Sequence, residues 1–440
     1  MKRSKFKVLA LLTVIAMVGS FFMGCGNSEE GKDTEKEASG EVIGAYQQLM
    51  EKEDRLPLSG LQPLKLEDRT DVDKALPVEK KEKVVIGWAG AFLGSSFFEE
   101  MINSANLAAD KYGYTLNFQN ANFDLQSQLT QVETFVSQGV DIIVLNAVEI
   151  DSSVAAIRRA VSEGIPVIVT GPRQASDDYP VVTTVLSGSF NSGFAVGEQA
   201  AKELFEKDGE PLKVGLALSM MDSADAQSRP TGFIAGYLYE SANKGGTPYK
   251  DKWEATLAAY DIWITIRDQG KFLDTGMGLE FVGYGTGEAT DAAAGQIASS
   301  DLLTANPDMD ILFVETDSML PGVFTEVRQH NLVPGDDVLL ICAADGTREA
   351  LKYIKEGVLY STATNIPSYN GEKIVDLINR MFAEGFDANN LPANSFTPTM
   401  SIHAGNVDEY YDENSPFAKA GPWDIQTTEE YNEFNAQYLD

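Results

Sequence analysis

From Lys83 onward, short β-branched runs alternate with amphipathic stretches of about a dozen residues or more. Val84–Trp88, Thr115–Gln119, Asp141–Asn146 and Pro166–Thr170 read as strands apolar on both faces, the pattern of a parallel sheet covered by helices. Between them, Phe97–Tyr112, Leu125–Gln138 and Ser152–Glu163 have helical spacing, and Gly113, Gly139 and Gly164 stand where C-terminal caps belong. After Ser187 the rhythm restarts. Strands are predicted at Lys213–Leu218, Glu280–Gly283, Asp310–Glu315, Val338–Cys342 and Tyr360–Thr364, with helices at Asn191–Phe205, Gln227–Glu240, Thr290–Leu303, Leu320–Gln329, Thr347–Lys355 and Tyr369–Phe382. Strand, helix and strand in repetition predict an α/β fold: two Rossmann-like parallel sheets wrapped by helices, with a ligand crevice between them.

The chain before Lys83 follows neither period. Met1–Lys7 carries Lys2, Arg3, Lys5 and Lys7, and Val8–Phe22 is apolar but short for a bilayer span. Residues 1–24 therefore read as a secretory signal. Its end, Phe22-Met23-Gly24-Cys25, resembles a bacterial lipobox, in which the Cys is lipidated and becomes the mature N-terminus. Residues 25–82 read as an acidic tether from lipid-anchored Cys25, which puts the protein outside the cytoplasm on the cell membrane. Cys342 then has no partner, and its apolar strand predicts a buried core thiol.

Charge and composition narrow the chemistry. With 66 acidic against 34 basic residues the formal charge is −32, a field that repels nucleic acid, so no nucleic-acid partner is expected. Two histidines, His330 and His403, and two cysteines are too few for a His/Cys metal cage or a His-based triad, and no metal, cofactor or catalytic residue is expected. Carboxylate chemistry survives this cut; Asp317 and Asp345 are the pair a carboxylate-dependent glycosidase would use.

Ligands of open parallel sheets bind beyond the strands' carboxyl ends, so the residues just after each strand are the informative ones. They include Phe97 and Phe98, next to a capping-box pattern of Ser96 and Glu99, then Asn146, Arg173, Arg229, Thr316, Asp317, Asp345 and Asn365. Carboxylates, amides and guanidinium forks match vicinal hydroxyls, and aromatic faces cover the C–H sides of a sugar ring. Trp88 and Phe92 are further stacking candidates. Ser241–Gly278, with Trp253, Tyr260 and Trp263, is longer than a connection needs and reads as a surface elaboration packed onto its lobe.

Taken in order, these residues resemble the type I periplasmic binding proteins of the ribose- and galactose-binding kind, over roughly Lys83–Asp408. The resemblance rests on Ser95-Ser96-Phe97-Phe98, Ile165-Pro166-Val167-Ile168 leading to Arg173, Ser228-Arg229 before Gly232-Phe233, and Asp301-Leu302-Leu303 with Asn306-Pro307-Asp308. Thr316-Asp317, Ala344-Asp345-Gly346-Thr347 and Asn365-Ile366-Pro367 complete it. It implies two lobes joined by a three-crossing hinge: 83–188 plus 366–395, and 189–365 plus 396–411, with 412–440 as a C-terminal tail. It further implies that Phe97 and Phe98 contact the ring of a sugar, that Arg173, Asn191, Arg229, Asp345 and Asn365 bind its hydroxyls, and that Asp317 and Glu288 are further candidates. The implied protein is a monomer that delivers a sugar or sugar-like molecule to an ABC permease, or presents it to a membrane sensor. Ser95 and Ser96 replace the usual Asn-Pro, and Pro172-Arg173 replaces the usual Asp-Arg.

Overall fold

The computed structural model describes residues 60–61, 65–66, 68–69, 74–171, 180–221, 223–274 and 276–436. The expected signal at 1–24, the expected lipid anchor Cys25, and Arg173 lie outside them. All described residues fall within one compact unit, Val42–Asp440. Among them, no helix is long and apolar enough to cross a membrane, and no cluster of His, Cys, Asp and Glu could hold a metal.

The first sheet has six strands in the order β12-β5-β4-β3-β1-β2, all paired in parallel. These are β1 (Val85–Gly90), β2 (Thr115–Asn120), β3 (Ile142–Asn146), β4 (Val167–Gly171), β5 (Thr184–Leu186) and β12 (Asn394–Phe396). Central β3 and β4 are buried at every position, as an apolar run dictates. β2 departs from expectation: it is the edge strand and only partly covered, so its apolar reading overstated its burial. Helices α1 (Ser96–Tyr112), α2 (Leu125–Gln138) and α3 (Ile150–Ser162) connect these strands, and Gly113 and Gly139 close the first two in the left-handed conformation. The N-cap of α1 is Ser95 and makes no side-chain capping bond, so the expected capping box of Ser96 and Glu99 is not formed.

The second sheet has seven strands in the order β13-β11-β10-β9-β6-β8-β7: β6 (Leu212–Leu218), β7 (Phe272–Asp274), β8 (Leu279–Thr286), β9 (Ile311–Val314), β10 (Leu339–Cys342), β11 (Ser361–Ala363) and β13 (Ser401–His403). Its centre is parallel, while β7 and β13 close its two edges antiparallel. Cys342 is fully buried in β10. Helices α4 (Ser189–Leu204) and α5 (Ala224–Gly245) lie together through a seam of glycines. A Cβ at Gly193, Gly197, Gly232 or Gly236 would come within 2.0–2.1 Å of the carbonyl oxygens of Arg229, Phe233, Phe190 and Phe194 respectively, so only glycine lets these backbones touch. The segment 241–278 builds helix α6 (Lys252–Gln269) and β7. Trp253, Tyr260 and Trp263 are buried in this lobe's core, and the Trp263 indole N–H donates to Gln227 Oε1 at 2.7 Å.

The chain passes between sheets after β5, after β11 and after β12. Phe396 pairs with Leu186 in the first sheet, so the last of these passages begins after Phe396 and not before it. A further passage follows that the three-crossing expectation did not contain. Beyond α11 (Val407–Tyr410), residues 416–418 bond to the loop after β10: Arg348 N–H donates to Pro416 O, and Ala418 N–H to Gly346 O. The same segment then returns to the first lobe. There Trp423 packs edge-on against Tyr369 of α10 (Pro367–Asn379), Ile425 joins the core, and Tyr431 of α12 (Thr428–Ala436) meets Phe396. Residues 412–436 are thus integral to the fold and not a tail.

Parts of the stretch expected to be a tether are also packed. Leu61 is buried among Phe190 and Phe194, and the Arg69 guanidinium donates to the carbonyls of Leu391, Val181 and Val182.

Candidate functional site

The carboxyl ends of β6, β9, β10 and β11 bring four polar side chains together. Arg229 projects from the second turn of α5, Glu315 follows β9, Asp345 follows β10, and Asn365 follows β11. Arg229 and Glu315 are buried, with side-chain exposures of 7% and 1%; Asp345 reaches 17%. Asn365 Nδ2 donates to Asp345 Oδ1 at 3.0 Å, and the Thr316 hydroxyl donates to Asp345 Oδ2 at 3.2 Å. Arg229 Nη2 stands 3.5 Å from Asp345 Oδ1, and Nη1 stands 3.6 Å from Glu315 Oε1. Ser219 N–H donates to Glu315 Oε2 at 2.6 Å.

Burial pushes the Glu315 and Asp345 carboxyls above their ordinary values, an effect that the nearby guanidinium partly offsets. Burial alone would lower the Arg229 pKa, but Asp225, Asp345 and Glu315 together hold it above the usual arginine value. Two atoms of the cluster are buried with no hydrogen-bond partner, Arg229 Nε and Glu315 Oε1. Unpaired buried polar atoms are costly, and this pair of them lies beneath the more exposed Asp345.

The remaining expected residues divide sharply. Phe97 and Phe98 are half-buried in the first turn of α1, their rings edge to face at 5.6 Å. Phe92 stacks on Phe123 at 4.6 Å and meets Phe98 at 6.1 Å, building an aromatic wall after β1. Asn146 is buried, and its amide is committed to the backbone: it accepts from Ala91 N–H and donates to Thr170 O, each at 3.2 Å. Asn191 is half-buried in the first turn of α4. Glu288 is exposed beyond β8.

Asp317 serves the scaffold. Its Oδ2 accepts from the Thr347 N–H and hydroxyl at 2.7 and 3.0 Å, and its Oδ1 accepts from the Thr362 hydroxyl at 2.7 Å. With both oxygens so held and the residue only 5% exposed, Asp317 supports the loop that carries Asp345 and is not available as half of an acid–base pair. Trp88 belongs to the first lobe's core, fully buried, and gives no stacking face.

Two residues of this region escaped the sequence reading. Glu315 was counted as the last residue of a strand, and only its low exposure against Arg229 reveals it as part of the cluster. Phe417, from the segment after α11, bridges to Thr347 and sets its ring edge-on to Phe97 at 6.3 Å. A cavity of about 350 Å³ adjoins it, lined by Glu100, Pro367, Ser368, Ser415, Phe417 and Lys419 among others.

Comparison with known proteins agrees with this architecture. The ribose import binding protein RbsB of Escherichia coli (strain K12) is 24% identical over 289 residues, which cover 66% of this chain and 81% of that protein. The galactofuranose-binding protein YtfQ of the same strain is 23% identical over 272 residues, covering 61% of this chain and 73% of the relative. Among solved structures, the periplasmic binding protein component of the arabinose ABC transporter from Shewanella sp. ANA-3, bound to α- and β-L-arabinofuranose, superposes with a TM-score of 0.57 at 18% identity, covering 81% of this chain and 97% of that one. An ABC transporter solute-binding protein from Bacillus halodurans C-125 with bound myo-inositol gives a TM-score of 0.55 at 23% identity, covering 76% of this chain and 98% of that one. Residues 86–385 match the periplasmic binding protein domain. With most of its length inside that match and a separate, largely parallel sheet in each lobe, the chain belongs to the periplasmic binding protein domain family, a family of binding proteins and not of enzymes.

Proposed function

We propose that the protein is an extracytoplasmic solute-binding protein that takes a sugar or related polyhydroxylated small molecule between its lobes and delivers it to an ABC transporter permease. The observation that carries this reading is the convergence of Arg229, Glu315, Asp345 and Asn365 at four strand ends, with unpartnered buried polar atoms among them. Ligand hydroxyls can donate to Asp345, the most exposed charged group of the cluster, and Phe97 and Phe98 offer apolar faces suited to ring C–H groups. The relatives support the class: they are a ribose import binding protein and a galactofuranose-binding protein, and the solved neighbours hold arabinofuranose and myo-inositol.

In this reading the mechanism is a clamp. The open form presents two half-sites, the ligand bridges them, and the closed form is favoured by the ligand's greater affinity for it. No bond is made or broken. Lipidation at Cys25 would keep the protein at the membrane that holds its permease, and it acts as a monomer.

Calorimetric titration with ribose, galactose, arabinose and myo-inositol, alongside native mass spectrometry for a co-purified solute, tests the proposal. At least one of these sugars should bind stoichiometrically without turnover. Asp345→Asn should weaken that binding about 100-fold, because a desolvated hydroxyl is left poorly paired. Binding of none of them, with no co-purified solute, would overturn the reading.

A further inference from the structure

The cluster around Arg229 is unbalanced in charge. The guanidinium faces the Glu315 and Asp345 carboxylates at 3.6 and 3.5 Å, and Asp225, one helical turn earlier on α5, adds a third negative charge within electrostatic range. Thr316 and Asn365 contribute only neutral groups to Asp345. Among the described residues, one positive charge therefore answers three negative ones, two of them against the buried guanidinium where charges are weakly screened.

Glu315 differs from Asp345 in how it is held. Its Oε2 is fixed by the Ser219 backbone N–H at the end of β6, and its Oε1 is sealed beneath Arg229 with no hydrogen-bond partner. A carboxylate there draws the guanidinium down toward the sheet and neutralises the face that an anionic ligand would seek.

We propose that Glu315 is a positioning residue that holds Arg229 and, with Asp345 and Asp225, restricts the site to uncharged or amino-bearing polyols, excluding sugar acids and sugar phosphates. This rests on the sugar-binding reading above and adds charge selectivity to it. Arg229 then acts as a donor to neutral hydroxyls and not as an anchor for a carboxylate or phosphate. An ammonium group on the ligand is tolerated because two excess negative charges remain after Arg229 is paired.

The test compares wild type with Glu315→Gln at fixed ionic strength and pH 7, titrated with D-galactose, D-galactosamine and D-galacturonate, three probes on one skeleton. Gln keeps an acceptor for the Ser219 N–H and removes the charge. Wild type should bind galactose and galactosamine and leave galacturonate at least roughly tenfold weaker. In Glu315→Gln the ratio should move in opposite directions for the two charged probes: galacturonate gains about tenfold relative to galactose, and galactosamine loses. A purely structural role for Glu315 would weaken all three alike, and that result overturns the inference. So does galacturonate binding to wild type as tightly as galactose, which leaves the sugar-binding reading intact. If none of the probes binds either protein while ribose, arabinose and myo-inositol also fail, the sugar-binding reading falls and this inference falls with it.

Discussion

The two lobes carry opposite chemistry beyond the carboxyl ends of their strands. After β1, the first lobe presents a wall of Phe92, Phe97, Phe98 and Phe123, while its nearby amide, Asn146, is tied into the sheet ends. The second lobe presents a guanidinium, two carboxylates and an amide in mutual contact. The difference teaches where each property of the site originates. Apolar contact is proportional to area and indifferent to small errors of placement, so it can sit on a helix start after a loop. Buried charge is not indifferent, and it is set on a helix and two strand ends with a support behind it.

That contrast can be broken most severely at Arg229. Arg229→Ala leaves Glu315 and Asp345 buried without their counter-charge, and a loss of about 3–5 kcal/mol in unfolding free energy is expected by urea denaturation. The burial of Arg229, 7% exposed, sets this cost. Asp317→Ala strikes the support and not the site. It strands the Thr347 N–H and two hydroxyls, and should cost about 1–3 kcal/mol in the same measurement. If Asp317→Ala proves as stable as wild type, the loop is held by something other than this carboxylate. The gentlest probe is on the aromatic side: Phe97→Ala should weaken sugar binding about tenfold, and cost less than about 1 kcal/mol of stability because the ring is only half-buried. A larger effect on affinity from Phe97→Ala than from Asp345→Asn would invert the assignment of roles to the lobes.

The alternation of strands and helices was legible because its cause is local. An apolar run between a helix cap and a turn glycine is a buried strand wherever it sits, as β3 and β4 are. Leu125–Gln138 and Leu320–Gln329 match their expected limits because cap residues or a helix-initiating proline mark their ends. Four short strands were not legible: β5, β7, β12 and β13 have three residues each, too few for a period of their own, whereas β11, equally short, was legible as part of the longer run Tyr360–Thr364.

At the site, position after a strand was a good guide to proximity and a poor one to role. Asn146, Asp317 and Asp345 have the same sequence context, yet only Asp345 keeps its carboxylate among groups that a ligand can reach. The distinction lies in long-range partners such as Thr170, Thr347 and Thr362, which no local pattern reports. Phe417 was illegible for the same reason: its approach to Phe97 depends on a passage of the chain back across the lobes.

The glycine seam between α4 and α5 has a mechanical outcome. Gly188, at the end of the first passage between sheets, is the N-cap of α4, and four carbonyl oxygens of this helix pair occupy space that side chains would otherwise fill. Neither helix can roll or slide without pushing the other. The two helices are thereby coupled as one rigid piece, and Arg229, whose own carbonyl is one of the four, is carried on it.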